Sequence, residues 1–136
     1  MRIFLDANVM FSAAKSDGAV RALLGHLLER GHRCLADDFV VAEARRNLHT
    51  KGPQALPALD ALLARIELSA YVQSPLTVPA LAWLPEKDRP VLAAAMRLRC
   101  DVLVTGDRTH FGAGCGKAFG SVTIHSPRSL AESLLA

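Results

Sequence analysis

The sequence predicts an α/β fold, a three-layer α/β/α sandwich around a parallel sheet of about five strands. Three observations carry that reading. Short β-branched or apolar runs alternate with longer stretches of helical apolar period, and Gly, Pro and Asp fall between them. Half of the 136 residues are apolar and only 21% are charged, which suits a folded core and excludes the composition of a disordered chain. At this length one domain over residues 1–136 is expected, with no linker.

Taken in order, Arg2–Leu5 reads as the first strand and stops at Asp6, near where a helix begins. Residues 19–29 carry Val20, Leu23, Leu24, Leu27 and Leu28 at helical spacing and end before Gly31, which suits a left-handed C-terminal position. A second strand is expected over 33–35. Asp38 is then the candidate N-cap of a helix over 39–49. Gly52 and Pro53 interrupt, and 55–66 resumes the period with Leu56, Leu59, Leu62, Leu63 and Ile66. A third strand is expected near 68–72, and 74–85, with Pro75, Pro79 and Pro85, reads as an ordered connection. Asp88 opens a helix over 89–98, where Pro90 is tolerated because first-turn N–H groups are unpaired anyway. Strands over 101–105 and 121–124 follow, and Ser126-Pro127 starts the last helix.

The formal charge of +3 permits an acidic partner without demanding one. Cys34, Cys100 and Cys115 form no C-x-x-C pair and read as reduced thiols. The N-terminus lacks a basic segment followed by an apolar stretch, and no apolar run approaches the ~20 residues of a membrane span, so a cytoplasmic protein away from membranes is expected.

In open parallel sheets, ligands bind beyond the carboxyl ends of the strands where strand order reverses. Asp6 follows the first strand and Asp107, in Thr105-Gly106-Asp107, follows the fourth, so the two converge if those strands are neighbours. Glu43 sits within an apolar helical stretch, where an unpaired buried charge costs several kcal/mol and a cation is the natural partner. Asp88, at a helix start, leads into the strand that presents Asp107. Clustered carboxylates repel unless neutralised, and oxygen ligands select Mg²⁺ or Mn²⁺ over zinc, which points to phosphodiester hydrolysis. Singly, each acid has a bland reading: Asp6 and Asp107 as turn or cap residues, Asp88 as an N-cap, Glu43 paired with Arg46 or Asn47. Asn8 and Thr105 are candidates for holding a carboxylate or a metal-bound water, or for bonding to nearby backbone. His110 reads as a capping or packing residue, and the histidines show no metal-ligand spacing.

The order Leu5-Asp6-Ala7-Asn8-Val9, then Glu43 in a helix, then Lys87-Asp88 before Val91-Leu92-Ala93-Ala94-Ala95, then Val104-Thr105-Gly106-Asp107, resembles the PIN-domain family over nearly the whole chain. The resemblance implies a metal-dependent endoribonuclease in which Asp6, Glu43, Asp88 and Asp107 coordinate Mg²⁺ or Mn²⁺, assisted by Asn8 and Thr105. It further implies the toxin of a toxin–antitoxin pair, inhibited by a small antitoxin protein, and a homodimer. One departure stands out: Thr109 occupies the position two after Asp107, where a further acid would serve a second metal. Arg45, Arg46, Arg89 and Arg108 lie beside the acids and are candidates for phosphate contacts, against the alternative of a solvated helix face. With one Trp and one Tyr there is no platform for stacking unpaired bases, so weak sequence preference or shape recognition of RNA is expected.

Three rival functions compete with this one. A haloacid-dehalogenase-like phosphatase would want a second acid where Asn8 stands, and a receiver domain wants an early acidic pair and a late lysine; neither is present. The alternative is a non-catalytic PIN-like module that binds RNA or protein, and the intact set of acids argues against it.

Overall fold

The computed structural model describes residues 1–73, 75 and 77–135. Strands β1 (Arg2–Leu5), β2 (Arg33–Asp37), β3 (Glu67–Ser69), β4 (Val102–Val104), β5 (Ala118–Phe119) and β6 (Val122–His125) form one sheet in the order β3-β2-β1-β4-β6-β5. All pairings are parallel except β5 with β6. The helices are α1 (Ala7–Lys15), α2 (Ala19–Glu29), α3 (Asp38–Lys51), α4 (Leu56–Leu63), α5 (Arg89–Arg97), α6 (Arg108–Phe111) and α7 (Pro127–Leu135).

The expected α/β class holds, and strand order reverses between β1 and β4 as the acidic pair required. Crossovers between parallel strands are right-handed, so the runs β1 to β2 and β2 to β3 place α1 to α4 on one face, and the return from β3 to β4 places α5 on the other. Accordingly α1 packs on α2, α3 and α4, while α5 packs on β4. Central strands are buried on both sides, which explains why Ile3, Phe4 and Leu5 read as a continuous apolar run rather than an alternation.

Three expectations need correction. The sheet has six strands rather than five, because Gly116 and Gly120, both at positive φ, turn the chain back to make β5, too short to show any alternation. The third strand covers 67–69, not 68–72: Arg33 donates two 2.6 Å bonds to Glu67 at its start, and the chain leaves the sheet after Ser69. The cap of α3 is Asp37, whose carboxylate accepts from Val40 N at 3.2 Å, and Asp38 is the first helical residue. Within the connection 74–85, Ser74 and Leu76 lie outside the described residues, and Pro79–Leu81 forms a single 3₁₀ turn.

Beyond β4 the chain packs under Trp83, which stacks on Phe119 with ring centroids 4.9 Å apart. Gly114 lies beneath that indole, and a Cβ built there would collide with its six-membered ring and press on Ile124 Cδ1. Gly114→Ala is therefore expected to destabilise by about 1–3 kcal/mol through overpacking, read as a lowered denaturant midpoint by Trp83 fluorescence. An unchanged midpoint would show that the indole moves aside freely.

Candidate functional site

Asp6 leaves the end of β1 with an extended backbone and caps α1, its Oδ1 accepting from Ala7 N at 2.7 Å. Its other oxygen accepts from the Thr105 hydroxyl at 2.8 Å and from Asn8 Nδ2 at 3.2 Å. Asn8 in turn takes the Gly106 N–H on its Oδ1 at 2.7 Å, and Thr105 Oγ1 takes the Asp107 N–H at 3.1 Å. A Cβ at Gly106 would press on Asn8 Oδ1 at 3.3 Å, so the close approach of this loop favours glycine. The Thr105-Gly106-Asp107 turn is thereby fastened to Asp6, and Asn8 and Thr105 hold a carboxylate, as one of the two readings of each expected.

Asp6 and Thr105 are buried, at 4% and 2% exposure. Burial pushes the Asp6 carboxyl up to about 6; the Thr105 hydroxyl and Ala7 N–H oppose this, and the charges of Glu43 and Asp88 add to it. Those two acids therefore act on Asp6 from α3 and from the turn before α5. Glu43 is half-buried, and neither Arg46 nor Asn47 pairs with it among the described residues. Asp88 lies in the 3₁₀ turn Glu86–Asp88 and makes no side-chain capping bond to α5, so its simplest alternative, an N-cap, is not realised.

What Asp88 does instead is to meet a histidine. His110 Nδ1 lies 2.8 Å from Asp88 Oδ2 and 3.0 Å from Asp107 Oδ2, while its backbone N–H donates to Asp107 Oδ1 at 3.0 Å. His110 is thus neither a simple cap nor a packing residue. Asp107 caps the single turn α6, which brings the side chain three residues on back over the cap; an aspartate after β4 followed at the third position by histidine was the available signal. Burial raises the Asp88 carboxyl, opposed by His110 and Lys87 and reinforced by Asp107. Even so, Asp88 Oδ2 and His110 Nδ1 are buried without a hydrogen-bond partner of acceptable geometry. Orphaned donor atoms of this kind, converging with Asp107 within 4.8 Å, fit a divalent cation.

The arginines divide. Arg45 is committed to Asp60 at 2.8 Å, and Arg89 donates to the carbonyls of Leu84 at 2.9 Å and Ala82 at 3.5 Å, so these two are tied to the fold. Arg46 and Arg108 are exposed, with no ion pair among the described residues. Asp37, at the end of β2, is also buried on this edge; its Oδ1 caps α3, while its Oδ2 is buried without a hydrogen-bond partner.

A PIN-domain family model matches residues 2–109. No curated protein sequence matches the chain. Among solved structures, VapBC2 from Rickettsia felis, bound to a DNA fragment from its promoter, superposes with a TM-score of 0.67 at 17% identity, covering 93% of this chain and 98% of that one. FitAcB from Neisseria gonorrhoeae gives 0.62 at 20% identity over 93% and 98% of the two chains. Mycobacterium tuberculosis VapC20, a sarcin–ricin loop cleaving toxin, gives 0.59 at 15% identity over 82% and 95%. At these identities the likeness shows a common fold, and the family model, spanning most of the chain, shows more: the chain belongs to the PIN-domain family.

Proposed function

We propose that the chain is a metal-dependent endoribonuclease, one nuclease domain over 1–136 that works as the toxin of a toxin–antitoxin pair. The observation that carries this reading is the meeting of Asp88, Asp107 and His110 within 4.8 Å of one another, with Asp88 Oδ2 buried and unpartnered and with Glu43 and Asp88 both acting on buried Asp6. These acids would hold Mg²⁺ or Mn²⁺, which when bound supplies a Lewis acid for phosphodiester hydrolysis. Thr105 and Asn8 fix the Asp6 carboxylate, and Asn8 and Thr105 also anchor the turn that carries Asp107. Exposed Arg46 and Arg108 are placed to meet phosphates of an RNA strand.

RNA as substrate is supported by the family and by the sarcin–ricin loop cleaving neighbour. An antitoxin protein as partner is supported by the family and by the VapBC2 structure that shares the fold, and a homodimer as the working form by the family alone. No helix among the described residues is long and apolar enough to cross a membrane, in keeping with a proposed cytoplasmic site of action.

The test is cleavage of labelled structured and single-stranded RNA by the purified chain with Mg²⁺, Mn²⁺ or EDTA. Metal-dependent cutting with internal products is expected. Folded protein that binds RNA but cuts none with either metal would replace this reading with that of a non-catalytic PIN-like binding module.

A further inference from the structure

We infer that His110 is a direct nitrogen ligand of the bound cation, which makes the centre a mixed oxygen and nitrogen site that favours Mn²⁺ over Mg²⁺. The inference rests on the proposed metal centre and adds a residue outside its set of four acids.

Three observations carry it. His110 Nδ1, Asp88 Oδ2 and Asp107 Oδ2 converge, with the nitrogen 2.8 and 3.0 Å from the two oxygens. Neighbouring donor atoms around an octahedral ion at ~2.1 Å stand about 3 Å apart, so the three already have the spacing of adjacent ligands on one ion. Next, Nδ1 and Asp88 Oδ2 are both buried without an acceptable hydrogen bond, although they nearly touch. Atoms this close need a positive centre between them, either a proton on Nδ1 that makes the contact an ion pair or a cation in its place, and the lack of a well-directed hydrogen bond favours the cation. Lastly, the residue that carries the imidazole is held from both sides: its backbone N–H donates to Asp107 Oδ1, and the next residue, Phe111, is fully buried.

Carboxylates alone suit Mg²⁺ and Mn²⁺ alike, while imidazole suits transition metals and adds little for Mg²⁺. The histidine would therefore tilt the choice of ion, and with it the working cofactor.

Pulsed EPR on the Mn²⁺-loaded full-length protein tests this. Mn²⁺ bound to the wild type should show modulation from a directly coordinated ¹⁴N, changing to the ¹⁵N pattern when histidine is ¹⁵N-labelled and disappearing in His110→Asp. In competition titrations the Mn²⁺ over Mg²⁺ preference should fall on the order of tenfold in His110→Asp, since the ligand set becomes all oxygen. Specific Mn²⁺ binding with no nitrogen coupling in the wild type, or coupling that persists in His110→Asp, would overturn the role of His110 and leave the acidic centre standing. No specific Mn²⁺ binding at all would instead overturn the metal centre itself. The wild-type spectrum decides the first question even if the variant fails to fold.

Discussion

Asp6→Asn is expected to abolish metal-dependent cleavage while making the metal-free protein more stable at neutral pH. Substitutions one shell away from a metal typically cost ~10–100-fold in affinity or activity, so loss of a carboxylate proposed to bind the ion directly should cost more than about a hundredfold. The stability effect runs the other way. Burial first, with Glu43 and Asp88 adding, lifts the Asp6 carboxyl from 3.8 to about 6, so its ionised form is disfavoured in the folded chain. A shift of that size corresponds to roughly 3 kcal/mol at pH above the folded value. The folded state holds this proton more tightly than the unfolded chain, so the contribution is most favourable below about pH 4 and is lost as pH rises through about 6.

Asparagine removes that penalty and keeps an acceptor for Ala7 N, but it sets an amide against Asn8 Nδ2 and takes from the Thr105 hydroxyl its acceptor. A net gain of about 1–2 kcal/mol at pH 7 is the expected balance. Without added metal, the wild-type midpoint should fall relative to that of Asp6→Asn between pH 4 and 6. Asp37 and Asp88 are also raised by burial and contribute slopes of the same sign to both proteins, so the difference between the two profiles reads Asp6 together with its coupling to Glu43 and Asp88. Parallel profiles would mean that the carboxyl is not shifted; full cleavage by the variant would remove Asp6 from the chemistry.

This opposition between stability and function accounts for how much of the site was legible in the sequence. A carboxylate at the end of a buried strand breaks the pattern around it, and Asp6 after Leu5 and Asp107 after Val104 could be read because a buried parallel strand has only one place to present a polar side chain to a ligand, its carboxyl end. Glu43 stood out in the same way against Val40, Val41 and Ala44. Whether the two acids meet depends on β1 and β4 being neighbours, a condition left open by the sequence and met by the sheet order.

His110 could not be placed on those grounds. Its contact with Asp88 spans the chain from one side of β4 to the other, and its orientation comes from a four-residue helix whose cap is itself a site acid. Spacing rules for metal-binding histidines look for a second histidine or cysteine, and here the partners are aspartates. The same limit explains Arg45 and Arg89. Proximity to an acid in sequence suggested phosphate contacts, whereas tertiary partners, Asp60 and the Leu84 carbonyl, claim both guanidinium groups. The β5 strand and the shift of a helix cap from Asp38 to Asp37 were lost for a local reason: two-residue strands have no period, and adjacent aspartates are equivalent until the preceding strand fixes where it ends.

Phe111→Ala should have the largest effect on stability of any change near the site, about 3–5 kcal/mol, and should weaken the metal centre without removing a ligand. Phe111 is fully buried, the one buried residue of α6, and meets Trp83 edge-to-face with ring centroids 6.3 Å apart. Trp83 is fixed by its Nε1–H to the Ala80 carbonyl at 2.8 Å and by its stack on Phe119, so it cannot follow the truncated side chain into the void. A helix of four residues has no stability of its own and is held by that one anchor and by the Asp107 cap. Its loosening would free His110 to swing away from Asp88 and Asp107, lowering Mn²⁺ affinity while all four acids remain. Denaturant unfolding followed by Trp83 fluorescence, with Mn²⁺ titration of the folded variant, reads both effects. Phe111→Leu, which keeps much of the volume, should cost less and retain most of the Mn²⁺ affinity. A loss below about 1 kcal/mol in Phe111→Ala would show that the pocket collapses around the gap. Unchanged Mn²⁺ affinity would show that α6 keeps His110 in place without its anchor.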